Sequence, residues 1–165
     1  MEIRPAGGDD RPWVAETCRG VFGSAMVASR GRLLDPSSLP GLVAWEGERR
    51  AGILAFDEEP GGTEVVLLAA VPPGRGAGTA LLQALEALGR SRGWERLRLC
   101  TTNDNTAALR FYQRRGWDLV ALHRDAVARD RLLKPEIPET GRDGIALRHA
   151  LELERRLERR EEGPA

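Results

Sequence analysis

The segment "EVVLLAAVPPGRGAGTALLQAL", residues 64–85, changes character twice. It begins as a β-rich apolar run and ends with leucines at helical spacing, and Gly74, Gly76 and Gly78 stand between the two. A strand that ends in a glycine-rich turn and opens a helix offers unpaired backbone N–H groups at the positive end of the helix dipole. Such a junction suits an anion, phosphate above all. Glycine belongs there because a side chain would block close approach of the oxygens, because the turn needs φ above zero, or for packing alone. Two phosphate loops do not fit. A P-loop needs GxxxxGK followed by Ser or Thr, and "GRGAGTAL" has no lysine; the dinucleotide fingerprint needs a third glycine where Thr79 or Leu81 stands.

Upstream, "MEIRPA" reads as a short edge strand and "DDRPWVAETCRGVF" as a helix with Pro12 in its first turn. "MVASRGRLLDPSSLPG" breaks the pattern with prolines, glycines and serines. Then "GLVAWEG", "RRAGILAFDEE" and "TEVVLLAAV" follow as three β-like runs with short polar turns, which predicts antiparallel pairing. Downstream, Leu81, Leu82, Leu85 and Leu88 mark a helix of about three to four turns that ends near Gly89 and Gly93. "ERLRLCTT" alternates as a strand, "NTAALRFYQRRG" reads as a helix stopping at Gly116, and "WDLVALH" as a strand. A short helix is expected in "DAVARDRLL", then a proline-broken loop. The pattern in "IALRHALELERRLERREE" fits a strand through Leu147 to Leu153 or a helix through Leu147, Leu151 and Leu157. One domain over residues 1–155 and a charged, frayed tail over 156–165 are expected.

The chain of 165 residues carries 25 basic and 25 acidic residues, interspersed, so no one-sided basic surface faces a phosphate backbone and nucleic acid is not an expected partner. No run has signal-peptide character or the length to cross a bilayer, which predicts a soluble cytoplasmic protein without a membrane partner. Cys18 and Cys100 lack a CxxC partner or a histidine at metal-ligand spacing; neither a disulfide nor a metal site is expected.

Taken together, "VPPGRGAGTALL" and "TTNDNTAALRFYQRRGW", one helix and one strand apart, resemble the Gcn5-related N-acetyltransferase (GNAT) family of acyl-coenzyme A enzymes. The family's loop runs Gln or Arg, x, x, Gly, x, Gly or Ala. Gly76 and Gly78 match its small positions, Arg75 lies between the glycines, and Pro73 departs from the first position. The second motif is met by Asn105, Ala108, Phe111, Tyr112, Gly116 and Trp117. The resemblance spans residues 2–123 in element order. It implies an α/β (α+β) GNAT fold, with a mixed, mostly antiparallel sheet of about six to seven strands, flanking helices and a splayed cofactor cleft.

The resemblance further implies an N-acetyltransferase that moves an acetyl group from acetyl-CoA, without a metal, to a primary amine by direct attack in a ternary complex. The acceptor would be a small molecule or a peptide, and family members are often homodimers. The diphosphate would rest on the amides of Arg75, Gly76, Ala77, Gly78 and Thr79, with Ala70 or Val71 giving an amide to the oxyanion. Asn105 and Ala108 would border the cofactor, and Tyr112, the chain's one tyrosine, would protonate the leaving thiolate. Asn105 could equally cap its helix. A water relay is the default route for the amine's proton; among side chains Glu64 is the first candidate for a general base, ahead of Asp57, Glu58 and Glu59. His123 either lines the acceptor side or ends a strand. Lys134 lies in "LLKPEIPETG", where a lid or acceptor wall is expected. Two other functions compete: a non-catalytic CoA-binding regulatory module, and a nucleotide-binding protein using the same glycines.

Overall fold

The computed structural model describes residues 1–158. Along the chain run β1 (Glu2–Pro5), α1 (Arg11–Phe22), β2 (Val27–Ser29), β3 (Arg32–Leu34), β4 (Gly41–Glu46), β5 (Arg49–Glu59) and β6 (Gly62–Ala70). Then follow α2 (Ala77–Arg92), β7 (Arg96–Thr102), α3 (Thr106–Gln113), β8 (Asp118–His123), α4 (Ala126–Asp130) and β9 (Ala150–Arg156). Seven strands form one sheet in the order β1-β4-β5-β6-β7-β9-β8. Every neighbouring pair is antiparallel except β6–β7, and the parallel pair is joined by the crossover helix α2, as parallel strands require.

Side-chain alternation sorts the apolar residues into two layers. Leu54, Phe56, Val65, Leu97, Leu99 and Leu153 face one side, against Leu81, Leu82 and Leu85 of α2 and Tyr112 of α3. Val43, Ile53, Ala55, Leu67 and Ala69 face the other, against Val14 and Cys18 of α1. Burial on both faces explains why β5 and β6 read as near-continuous apolar runs.

The ambiguous C-terminal pattern resolves as a strand. β9 inserts between β7 and β8, with Leu99 opposite Leu153 and Leu119 opposite the same residue on the far side. A helix there would leave two strand edges unpaired. The tail expected from residue 156 overlaps this strand: Arg156 belongs to β9 and Leu157 is buried against α2. Gly89 makes room for it, since a Cβ at that position would lie 2.5 Å from Leu157 Cδ1. The rest of the expected tail, from residue 159 on, lies outside the described residues.

One element in the broken stretch 26–41 has no counterpart in the sequence reading. β2 and β3 form a hairpin across Arg30-Gly31, both at positive φ (54° and 76°), the dihedral signature of a two-residue primed turn. It packs on the α1 face of the sheet, where Ser29 reaches Glu64.

Candidate active site

β6 and β7 pair over three positions only, Gly62–Glu64 against Arg96–Arg98. Beyond them the strands separate, and a register slip between Ala55 and Phe56 leaves Val66 as an extra residue that bends β6 away. A wedge opens between the ends of two strands, at the mouth of the α2 crossover. The Val71 N–H donates to Ala51 O across β5 at 2.9 Å. Because backbone groups alternate sides along a strand, the N–H and C=O of Ala70 point the other way, into the wedge. Of the two amides expected to face the reacting carbonyl, Val71's is therefore taken and Ala70's is free of that bond.

The loop after β6 is held by Arg49, whose Nη1 donates to Val71 O at 3.0 Å. Gly74 and Gly76 adopt φ of +84° and +86°, and a Cβ at either would meet nothing within 4 Å. Conformation, not space, demands glycine there. Gly78 differs: its Cβ would stand 3.1 Å from Phe111 Cζ, so this glycine lets α3 approach the first turn of α2. Gly76 is the N-cap of α2 and supplies no side-chain cap, which leaves the amides of Ala77, Gly78 and Thr79 at the dipole's positive end. Arg75 is exposed and lies 3.6 Å from Glu46.

Arg115 completes this corner and has no place in either motif. Its Nε and Nη2 donate to Thr79 Oγ1 at 3.0 and 2.8 Å, and its guanidinium stacks 3.7 Å from the Phe111 ring centroid. Nothing in "QRRGW" distinguishes it from Arg114.

On α3, Asn105 Oδ1 accepts from the Ala108 N–H at 3.2 Å, the capping role. That cap sets the start of a helix whose buried Tyr112 meets Phe111 and Trp117 edge-on, with centroids 5.1 and 5.4 Å away. Burial pushes the phenol's pKa well above its ordinary range, and the nearby Arg115 charge pulls only weakly the other way. Tyr112, Ala77 and Leu81 share one apolar cluster, with Ala70 and Ala108 packed against it. The structure thus gathers the loop, Ala70, Ala108 and Tyr112 on the α2–α3 side of the wedge.

Glu64 is not among them. It lies on the opposite face, 2% exposed, with Oε1 accepting from Ser29 Oγ at 2.7 Å and Oε2 from Arg32 and Arg98 at 3.1 and 3.4 Å. Both oxygens are engaged in a buried ion-pair network that ties the hairpin to β6 and β7. The reserve candidates are paired too: Asp57 with Arg32, Glu58 with Arg92, and Glu59 with Arg98.

The same face carries a second polar group. His123 Nε2 lies 3.2 Å from Glu152 Oε1, and these two and Cys100 present ligand atoms within 4.8 Å of one another. Arg30 and Arg98 approach the same carboxylate at 3.5 and 3.8 Å, so its charge is already shared with two guanidiniums. Burial, with Glu64 and Glu152 beside it, pushes the Cys100 thiol up to about 12, so it stays neutral and is a poor nucleophile. Cys18 and Cys100 are both free thiols.

The segment after β8 closes over this face. Lys134 is buried and its Nζ donates to Met26 O at 2.9 Å, and the Gly31 amide supports the buried Asp130 carboxylate. The segment returns to β9 through Asp104, whose Oδ2 accepts from the Arg142 N–H at 3.0 Å, with Gly141 so close that a Cβ would clash at 2.2 Å.

A strand pair that parts beside an uncapped, glycine-opened helix defines an acyl-CoA-type transferase cleft rather than a nucleotide P-loop. In agreement, a sequence model described as the acetyltransferase (GNAT) family matches residues 11–117, and the chain belongs to that family. It is 34% identical over 139 residues to the uncharacterized protein YxbD of Bacillus subtilis (strain 168), covering 84% of this chain and 80% of that one. To the uncharacterized protein YdhI of the same strain it is 39% identical over 97 residues, 59% of this chain and 61% of YdhI, so that match spans under two thirds of the relative's length. Among solved structures, the fold is similar to a GNAT family acetyltransferase from Elizabethkingia anophelis with acetyl-CoA bound. The TM-score is 0.66 at 16% identity, covering 94% of this chain and 97% of that one. No helix among the described residues is long and apolar enough to cross a membrane.

Proposed function

We propose that the protein is an N-acetyltransferase that moves the acetyl group of acetyl-CoA to a primary amine by direct attack in a ternary complex. The observation that carries this reading is the wedge between β6 and β7, opening directly onto the bare N-terminus of α2. The amides of Arg75 to Thr79 receive the diphosphate, with Arg75 and Arg115 adding positive charge at the rim. The free edge of β6 pairs with the pantetheine amides, and the Ala70 N–H stabilises the oxyanion. Tyr112 gives its proton to the departing thiolate. From an ordinary phenol, near 10, to a thiol near 8.5, that transfer is uphill by about 2 kcal/mol. Burial raises the phenol further, so the proton stays on Tyr112 until the thiolate forms beside it. The neutral Cys100 thiol favours direct attack over a cysteine-bound acyl intermediate.

Thermal-shift titration with CoA, ATP and NAD, followed by thioester cleavage with a panel of alkylamines, tests the proposal. Stabilisation by CoA alone, and cleavage that depends on an amine, are the expected results. Stabilisation by ATP or NAD instead would return the glycine loop to a nucleotide. CoA binding without cleavage on any amine would make the protein a regulatory binding module.

A further inference from the structure

We infer that His123, held by Glu152, is the group that removes the proton from an incoming alkylammonium acceptor. The inference rests on the acetyltransferase reading above and replaces Glu64 in the role the sequence suggested for it.

An acceptor approaching the thioester comes from the face opposite α2 and α3, since Tyr112 and the loop occupy the other side. On that face β7 presents Cys100, two residues beyond the last position paired with β6, and therefore on the wall of the wedge. Glu152 stands directly opposite Cys100 in the β7–β9 register, and His123 reaches across from β8, whose register places it beside Ala150. A ring nitrogen of His123 comes within 4.8 Å of Cys100 Sγ, so the imidazole reaches the wall of the wedge from two strands away. From there the ring would act on an amine in the wedge through one bridging water, an arrangement general-base catalysis allows.

The charges around the ring fit the task. His123 Nε2 lies 3.2 Å from Glu152 Oε1, and this contact orients the ring. Arg30 from the hairpin turn and Arg98 from β7 lie 3.5 and 3.8 Å from Glu152 Oε1 and hold that carboxylate in place beside the ring, and the Cys100 thiol is neutral. The other acids on this face are engaged elsewhere: Glu64 with Ser29, Arg32 and Arg98, Asp57 with Arg32, Glu59 with Arg98 and Glu154 with Arg156. The His123 side chain is 32% exposed, so a proton it accepts can pass to solvent, whereas Glu64 at 2% has no such exit.

The steps balance as follows. The His123 ring takes one proton, through the water, from the ammonium. The freed lone pair forms the C–N bond as the carbonyl π pair moves to oxygen. Collapse re-forms C=O and breaks C–S, the thiolate takes the Tyr112 proton, and the amide nitrogen's surplus proton returns to Tyr112. One proton leaves from His123 to solvent per turnover.

The test uses the full chain with acetyl-CoA and four alkylamine probes: phenethylamine, spermidine, and lysine- and alanine-starting tripeptides. His123→Asn and Glu152→Gln are compared with the wild type from pH 6.5 to 9.5. At pH 7 we expect kcat/KM for the best amine to fall about 100-fold in His123→Asn, with the acetyl-CoA Kd within about twofold. For an amine of pKa about 10 the deficit should shrink roughly tenfold per pH unit as it loses its proton unaided, and for a tripeptide α-amine, of pKa about 8, the recovery should be complete by about pH 8. Glu152→Gln should show the same recovery from a smaller loss. A His123→Asn deficit equal at pH 7 and 9.5, or no deficit, overturns the assignment while leaving the transferase intact. A wild type that binds acetyl-CoA but acetylates none of the four breaks the transferase reading itself, and this inference with it.

Discussion

The two faces of the wedge are built by different physics. The α2–α3 face is a local construction: a strand, a turn and the first turn of a helix lie within residues 64–79, and their useful groups are backbone amides. The opposite face is assembled from the hairpin, β6, β7, β8 and β9, and its useful groups are charged side chains brought together over long separations, such as Ser29 with Glu64 or His123 with Glu152. In the function proposed, an anion would be met by dipoles fixed in place by φ and by helix formation, and an amine by titratable groups held by one another. The contrast teaches that cofactor recognition can survive most side-chain changes, while acceptor chemistry rests on a few exact pairings.

That difference can be broken first at Glu64. Glu64→Gln removes a carboxylate shared by Arg32 and Arg98, leaving two guanidiniums less compensated. A loss of about 3 kcal/mol in denaturant unfolding is expected, with kcat of the folded fraction changed less than about threefold. A large fall in kcat without a fall in stability would restore Glu64 as a base. Next comes Tyr112→Phe, expected to lower kcat by about 100-fold at constant acetyl-CoA affinity. Because the phenol's pKa is raised, Tyr112 stays protonated over the working range, so this loss should be even from pH 6.5 to 9. A loss confined to one limb of the profile would contradict its role as the acid.

Gly76→Ala sharpens the comparison from the cofactor side. Space is open at this position and only φ of +86° resists a side chain, so a cost of about 1 kcal/mol and a CoA affinity lower by about fivefold are expected from calorimetry. The smallest effect concerns acid. Burial opposes ionisation of Asp104, but the Thr102 hydroxyl and the Arg142 amide outweigh it and hold the carboxyl below its usual range. A depressed folded pKa contributes stability that is present above the unfolded value and is lost as pH falls through the folded one. Asp104→Asn should therefore flatten the loss of Tm below about pH 4 and leave the slope near pH 7 unchanged.

The cofactor face was legible because its signals are short-range. Apolar runs, Gly74 and Gly76, and the Asn105 cap each announce a local conformation that the structure keeps. The seven-strand sheet followed from the same signals, apart from β9, whose alternation also satisfied a helical period until two open strand edges decided it. The acceptor face was not legible. The hairpin's Arg30-Gly31 turn was hidden among prolines and serines, though its X-Gly dipeptide between two short runs was the available signal. Glu64 looked like a free acid on a strand because nothing in the sequence places Ser29, Arg32 and Arg98 around it. His123 stood at a strand end with no sign of Glu152 beside it.

The central claim, that the amides opening α2 seize the diphosphate of CoA, is tested most directly by amide-resolved NMR of the protein titrated with CoA. The account predicts the largest, saturable shifts at Gly76, Ala77, Gly78 and Thr79, with Ala70 following and the hairpin amides of 27–34 nearly unmoved. Shifts that fail to saturate, or that centre on the hairpin face, would contradict it.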